Sequence, residues 1–311
     1  MLTRIPTLVL AAALATLACE RETPPQTSPG TATDQPGAPV DQVGAPAGGD
    51  VAGTLFVEAP PAGAQLVFVG AQADAMPADR ADAVFVPFST FSVERDGIPN
   101  EFPPADRLTE LLHDAGVRGD RFVIVADPIP AGRAYAAFDW LGLGDRAALL
   151  DGGPGTVASL PSPAQDAQPR AGTDQRLQTR VRDDMIVDAE WVHERLDDAS
   201  VAILDARPPA EYSGATPGDG IERPGHIPGA RNLFWQDLVV SADNPRLKDE
   251  VELRRLFQAA GAEPGSTVVA YCRTGGQAAF LYTVARHLGY DVRMYDGSFI
   301  DWSRTEYPVE R

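Results

Sequence analysis

Residues 268–279 read VVAYCRTGGQAA. An apolar run ends at Cys272, a short loop carries two adjacent glycines, and a helix-forming stretch follows. Strand, loop and helix in that order form the building unit of a parallel sheet, in which ligands gather where the carboxyl ends of strands give way to loops. Cys272 occupies such an end. Gly275 and Gly276 allow the loop to curl with successive N–H groups turned inward, and the following helix adds its unpaired donors and the positive end of its dipole. Together these favour an anion at the loop centre. The same field predicts a lowered thiol pKa and a Cys272 that is largely thiolate at neutral pH.

The unit occurs twice. In ELRRLFQAAG, Leu253, Leu256, Phe257 and Ala260 fall at i, i+3, i+4 and i+7, one face of an amphipathic helix, and Gly261 suits its end. At an offset of 145 positions, Leu108, Leu111, Leu112, Ala115 and Gly116 repeat the pattern. The same offset lays VIVAD on VVAYC, setting Asp127 opposite Cys272. It also lays Leu143-Gly144 on Leu288-Gly289 and Asp151-Gly152 on Asp296-Gly297. In the second copy VAILDA, the valines before Cys272 and VRMYDG read as strands. VELRRLFQAAG and QAAFLYTVARHLG read as helices, the latter with Phe280, Val284 and Leu288 as its apolar stripe. Alternating strands and helices predict an α/β chain with two domains, 53–152 and 185–311. Each is an open, mainly parallel sheet with helices on both faces. Residues 153–184, rich in Pro, Gly, Ser and Ala, read as the linker between them.

The remaining chain bounds the setting. A net charge of −18 over 311 residues argues against a nucleic-acid partner and against adhesion to anionic lipid, both of which need a basic face. MLTRIPTLVLAAALATLAC, residues 1–19, has Arg4, an apolar stretch from Leu8 to Ala18, and then Cys19. It reads as a signal peptide and resembles the bacterial lipoprotein type, in which the cysteine is lipidated. Residues 20–52, rich in Pro, Gly, Thr and Ala, read as a disordered tether. The expected protein is exported to the periplasm or cell envelope, anchored by lipid at Cys19 and monomeric. Cys272 is then its free thiol, and it has two readings: a buried small hydrophobe or a reactive centre.

Four stretches decide between them. YCRTGGQAA resembles the cysteine-led active-site loop of the rhodanese sulfurtransferases. LDARPPAEY, with Asp205 and Arg207, resembles that family's first strand and turn. GHIPGARNL, from Gly225, is similar to its N-terminal signature, and MYDGSFIDW, from Met294, to its C-terminal one. The weaker first copy, with Asp127 in place of cysteine, resembles the inactive N-terminal domain of tandem rhodaneses. In DPIPAGRA two prolines are expected to remove inward N–H donors. The resemblance implies double displacement through a Cys272 persulfide, cradled by the loop N–H groups of 273–277. Sulfur comes from a small-molecule donor such as thiosulfate and passes to cyanide or a thiol, with no cofactor and no metal. It implies substrate contacts from Arg273, Thr274, Gly275, Gly276 and Gln277. Arg207 has two readings, a substrate contact or a salt bridge holding its turn.

Two positions depart from the family pattern. Gln277 stands where threonine or arginine is usual, and Glu211 where many members carry a substrate-facing arginine. A carboxylate facing the site would repel an anionic donor. The cationic Arg273 favours thiosulfate over 3-mercaptopyruvate. A cysteine phosphatase needs an arginine at the sixth residue after the cysteine, and here that residue is Ala278. A non-catalytic persulfide carrier is the other alternative. His226 reads as structural, His113, His193 and His287 as surface or satisfied positions, and Phe85, Phe88 and Phe91 as core or interface.

Overall fold

The structure is a computed structural model and describes residues 54–73, 76–161 and 176–311. The expected signal segment, Cys19 and the tether lie outside the described residues, as do residues 162–175 of the expected linker. The first half contains β1 Phe56–Val57, β2 Gln65–Gly70, β3 Ala83–Pro87, β4 Val93–Arg95, β5 Ile98–Glu101, α1 Ala105–Asp114, β6 Phe122–Val125, α2 Pro128–Trp140 and β7 Ala147–Leu150. The second contains β8 Ile186–Val187, α3 Ala189–His193, β9 Val201–Asp205, α4 Pro209–Tyr212, β10 Arg231–Asn232, α5 Glu250–Ala259, β11 Thr267–Tyr271, α6 Gly276–His287, β12 Asp291–Tyr295 and α7 Ser298–Trp302.

The repeat becomes two sheets with one topology. The first runs β1-β7-β6-β2-β3, and the second, read from the matching edge, β8-β12-β11-β9-β10. Every neighbouring pair in both is parallel. The small β4–β5 ribbon is antiparallel. An offset of 145 carries α1 onto α5 end to end, in accord with the shared helical spacing.

Alternation along β11 shows why its sequence is continuously apolar. Val268, Ala270 and then Cys272 face Leu253 and Phe257 of α5 and Phe280 and Val284 of α6. Val269 and Tyr271 face Val192 of α3 and Phe299 and Trp302 of α7. A parallel strand covered on both faces has no solvent side to be polar. In the first sheet one face meets α1 and α2. The other packs on a short 3-10 helix, Gly153–Ser159, through Val157. The sequence placed that segment in a linker; packing assigns it to the first half. Residues 176–182 are also pinned: Leu177 is buried, and the N–H groups of Arg180 and Arg182 donate to Leu141 and Trp140 carbonyls at 2.9 and 2.8 Å.

Helices α2 and α6 join the halves, and one apolar core runs through both. Their approach is close because Gly132 lies on the backbone of Phe280: a Cβ built at Gly132 would stand 2.5 Å from the Phe280 Cα. Farther along α2 the buried Asp139 accepts from Tyr282 Oη at 2.6 Å, Arg182 Nη1 at 2.7 Å and Arg286 Nε at 3.1 Å. A carboxylate taken out of water needs such partners, and here Tyr282 and Arg286 of the second half supply them together with Arg182 of the connecting segment. No helix among the described residues is long and apolar enough to cross a membrane.

Candidate active site

Strand β11 delivers Cys272 to the carboxyl edge of its sheet, between two neighbours whose ends carry aspartates of the signature motifs, Asp205 as the last residue of β9 and Asp296 directly after β12. The chain then turns through Arg273, Thr274 and Gly275 before α6 opens at Gly276. Gly275 has φ +87°, a left-handed conformation that costs glycine nothing and other residues much. That turn aims three backbone N–H groups, those of Ala278, Thr274 and Gly275, at the Cys272 sulfur. From below, Cys272 N–H donates to Ser298 Oγ at 3.3 Å, and its carbonyl accepts from Phe299 N–H at 2.9 Å. Ser298 itself holds φ +57°, an uncommon backbone for a residue with a Cβ, while its hydroxyl donates to the Tyr295 carbonyl.

The sulfur opens onto a cavity of about 220 Å³. Cys272, Arg273, Thr274, Gly276 and Gln277 line one side, and Phe88, Asn100, Ile129 and Arg133 of the first half line the other. The loop residues expected from the sequence are therefore brought together, with Gly275 packed behind the lining. The four first-half residues carry no motif, and of them the sequence marks Phe88 alone, as a core or interface position.

Burial corrects the expectation of a ready thiolate. Enclosure of the sulfur pushes the Cys272 thiol pKa up, and this outweighs the opposing pull of the Ala278, Thr274 and Gly275 amides; the carboxylate of Asp205 adds to the rise. Among the described residues the cations near the sulfur each lie beside a carboxylate. Arg273 lies 4.0 Å from Glu211, Arg133 2.5 Å from Asp296, and Arg207 2.6 Å from Asp205. Burial thus opposes the charged form of the Cys272 sulfur, while the amides of Ala278, Thr274 and Gly275 favour it.

Arg207 is 1 % exposed and does not line the cavity. Its guanidinium grips Asp205, donates to the Gly225 carbonyl at 2.8 Å and lies over the Phe299 ring. Of its two readings the geometry gives the turn-holding salt bridge, and the substrate contact is corrected. Glu211 also stays off the lining; it pairs with Arg273, while its Oε2 is buried without a hydrogen-bond partner. His226 bridges the Tyr212 carbonyl through Nδ1 at 2.9 Å and pairs backbones with Glu310, both structural. Among the described residues no group of three or more His, Cys, Asp or Glu side chains is placed to hold a metal.

The matching position of the first half is closed. There α2 begins at Pro128, directly after Asp127, so the residues that form a loop after Cys272 are wound into helix. Proline fits the first helical turn because its missing N–H would be unpaired there anyway. The sequence reading of a loop spoiled by proline is corrected: no loop forms. The space beside it is about 10 Å³, and Pro245 of the second half lines it. The closing contacts mirror the open site. Leu247 N–H and Arg246 Nη1 bond Asp151 at 3.0 and 3.2 Å, where Phe102 N–H and Arg133 Nη1 bond Asp296 at 2.7 and 2.5 Å.

The rhodanese-like domain family matches residues 188–305. The chain is 33% identical over 230 residues to a putative thiosulfate sulfurtransferase of Synechococcus elongatus, a match covering 68% of this chain and 70% of that protein. It is 29% identical over 238 residues to a thiosulfate sulfurtransferase of Corynebacterium glutamicum, covering 69% and 74%. Among solved structures, YnjE shares the fold with a TM-score of 0.64 at 23% identity, over 81% of this chain; this chain spans 64% of that one. Fold and site define an α/β protein with a loop-borne cysteine at the carboxyl edge of a parallel sheet. The chain belongs to the rhodanese family of sulfurtransferases.

Proposed function

We propose that the protein is a thiosulfate sulfurtransferase that works through a Cys272 persulfide. The observation that supports this best is the convergence of three loop N–H groups on a single buried sulfur facing a cavity. Cys272 loses its proton to solvent, and the thiolate attacks the outer sulfur of thiosulfate. The donor S–S bond breaks, and sulfite leaves with its electron pair. The new persulfide carries its charge on the terminal sulfur, where the amides of Thr274, Gly275 and Ala278 lie within reach. Cyanide or a thiol then attacks that sulfur, the persulfide bond breaks, and the Cys272 thiolate returns. This is covalent catalysis with preorganised donors aimed at the site of charge.

Arg273, 38 % exposed and held only loosely by Glu211, is the side chain free to turn toward a sulfonate-like donor. Thr274 and Gln277 complete that wall. Thiocyanate formation from thiosulfate and cyanide tests the assignment: wild type should produce it and Cys272→Ser should not. A higher kcat/KM with 3-mercaptopyruvate than with thiosulfate would instead assign the donor to the mercaptopyruvate class. The reading of residues 1–19 as a lipoprotein signal is tested separately, by fatty-acid labelling that Cys19→Ala should abolish.

A further inference from the structure

Arg133 belongs to the half without a cysteine, yet it is the most deeply buried charge lining the Cys272 cavity, with no exposed surface. Its guanidinium is fixed on every side. Nη1 donates to Asp296 Oδ1 at 2.5 Å, Nε to the Phe91 carbonyl at 3.2 Å, and Nη2 to the Asn100 carbonyl; the plane lies 3.6 Å above the Phe102 ring centroid. Burying a guanidinium this way is expensive, and a structural salt bridge alone would be more cheaply replaced by apolar packing.

Its position suggests what the cost supports. A Cβ built on Gly275 would meet Asp296 Oδ1 at 2.8 Å and Arg133 Nη1 at 3.0 Å, so the left-handed turn of the loop rests on this ion pair. The residue before it is held by the same network. Asn100, whose carbonyl takes Arg133 Nη2, donates from Nδ2 to Thr274 Oγ1 at 3.1 Å. Thr274 and Gly275 supply two of the three N–H groups aimed at the Cys272 sulfur.

We infer that Arg133, with Asn100, is a positioning residue for the sulfur cradle: the first half supplies no chemistry of its own but sets the direction of the amides that stabilise the Cys272 anion. This rests on Cys272 being the reactive thiol, but not on which sulfur donor it uses. The role is geometric, since the Arg133 charge is already neutralised by Asp296. The other charged groups around the sulfur, Asp205 with Arg207 and Arg273 with Glu211, belong to the second half and are untouched by changes at Arg133.

The test is the rate of Cys272 alkylation by iodoacetamide against pH, on the full chain, with thermal melts alongside. Arg133→Gln should move the midpoint up by about one pH unit, a roughly tenfold slower reaction at neutral pH. Arg133→Lys keeps the charge but cannot reach the Phe91 and Asn100 carbonyls together with Asp296, so most of the shift should persist. Asn100→Gly removes the Thr274 contact, tolerates the φ of +63° at that position, and should shift the midpoint upward by less. Full recovery in Arg133→Lys would reduce the role to charge and overturn the inference, as would an unmoved midpoint in Arg133→Gln. If Arg133→Gln fails to fold, an unmoved midpoint in Asn100→Gly overturns it. Failure of the sulfurtransferase reading would look different: no thiocyanate from wild type, with the midpoint shifts of the variants still present.

Discussion

Gly132→Ala is the substitution that weighs the fold against its site most directly. Glycine inside a helix is ordinarily a defect, and alanine there should add about 0.5–1 kcal/mol of stability. Here the added methyl would stand 2.5 Å from the Phe280 Cα and 2.6 Å from its N. Carbon atoms in good contact are about 3.5 Å apart or more, so α2 and α6 would have to separate by about 1 Å. Overpacking of that kind costs about 1–3 kcal/mol, and a contact with backbone cannot be relieved by rotating a side chain. The clash therefore outweighs the helix gain, with a net loss of up to about 2.5 kcal/mol in urea or guanidinium unfolding of the full chain. The separation also weakens the Thr283 Oγ1 contact to the Gly132 carbonyl and draws the adjacent Arg133 away from Asp296. Sulfur transfer should fall with stability. A Gly132→Ala protein more stable than wild type would refute the close-packed interface and, with it, the account of how the first half shapes the site.

Three further outcomes follow from the structure. Because burial pushes the Cys272 thiol up and only the thiolate reacts, alkylation and first-turnover rates should keep rising with pH beyond about 8.5, the ordinary thiol range, and a plateau below neutrality would contradict that sign. Glu211→Gln frees Arg273 from its carboxylate and removes a negative charge near the donor; the KM for thiosulfate should drop a few-fold, to a limit of about tenfold, because the pair is part exposed and screened. Steady-state kinetics at two salt concentrations check it, with no change at either sinking the idea. His287 is held below its ordinary pKa by burial, so the folded state resists a proton that the unfolded chain accepts. Stability is complete above about pH 6.5 and is lost as pH falls below it. His287→Leu should flatten the fall in Tm between about pH 7 and 5, whereas a fall as steep as in wild type would contradict that source.

The sequence announced the fold where local patterns carry it. The helical spacing shared by Leu108 and Leu253 became α1 and α5, and the valines before Cys272 became a strand buried on both faces. Half of the site was equally visible, since Cys272 to Gln277 are contiguous and their glycines signal a loop. The other half was not. Phe88, Asn100, Ile129 and Arg133 reach the Cys272 loop through the docking of the first half on the second, and no spacing in the chain encodes that approach. One signal was available: the offset that pairs Asp151 with Asp296 marked both, and each proves to receive a backbone N–H from the opposite half. The thiol pKa departs from the sequence expectation for a physical reason. The loop suggests the favourable amides, but desolvation depends on how deeply the sulfur lies and on cations already taken by Glu211, Asp296 and Asp205. Arg207 shows the same limit, for an arginine after a strand reads alike whether it faces a ligand or a carboxylate two residues back.

The central claim is that Cys272 itself carries the transferred sulfur. Mass spectrometry of the Cys272 peptide, after exposure of the full chain to thiosulfate and removal of the excess, tests it most directly. The account predicts a peptide heavier by one sulfur atom, returning to the unmodified mass when cyanide is added, with an equal amount of thiocyanate released. Thiocyanate formation with the Cys272 peptide unmodified at every stage, or undiminished in Cys272→Ser, would contradict it.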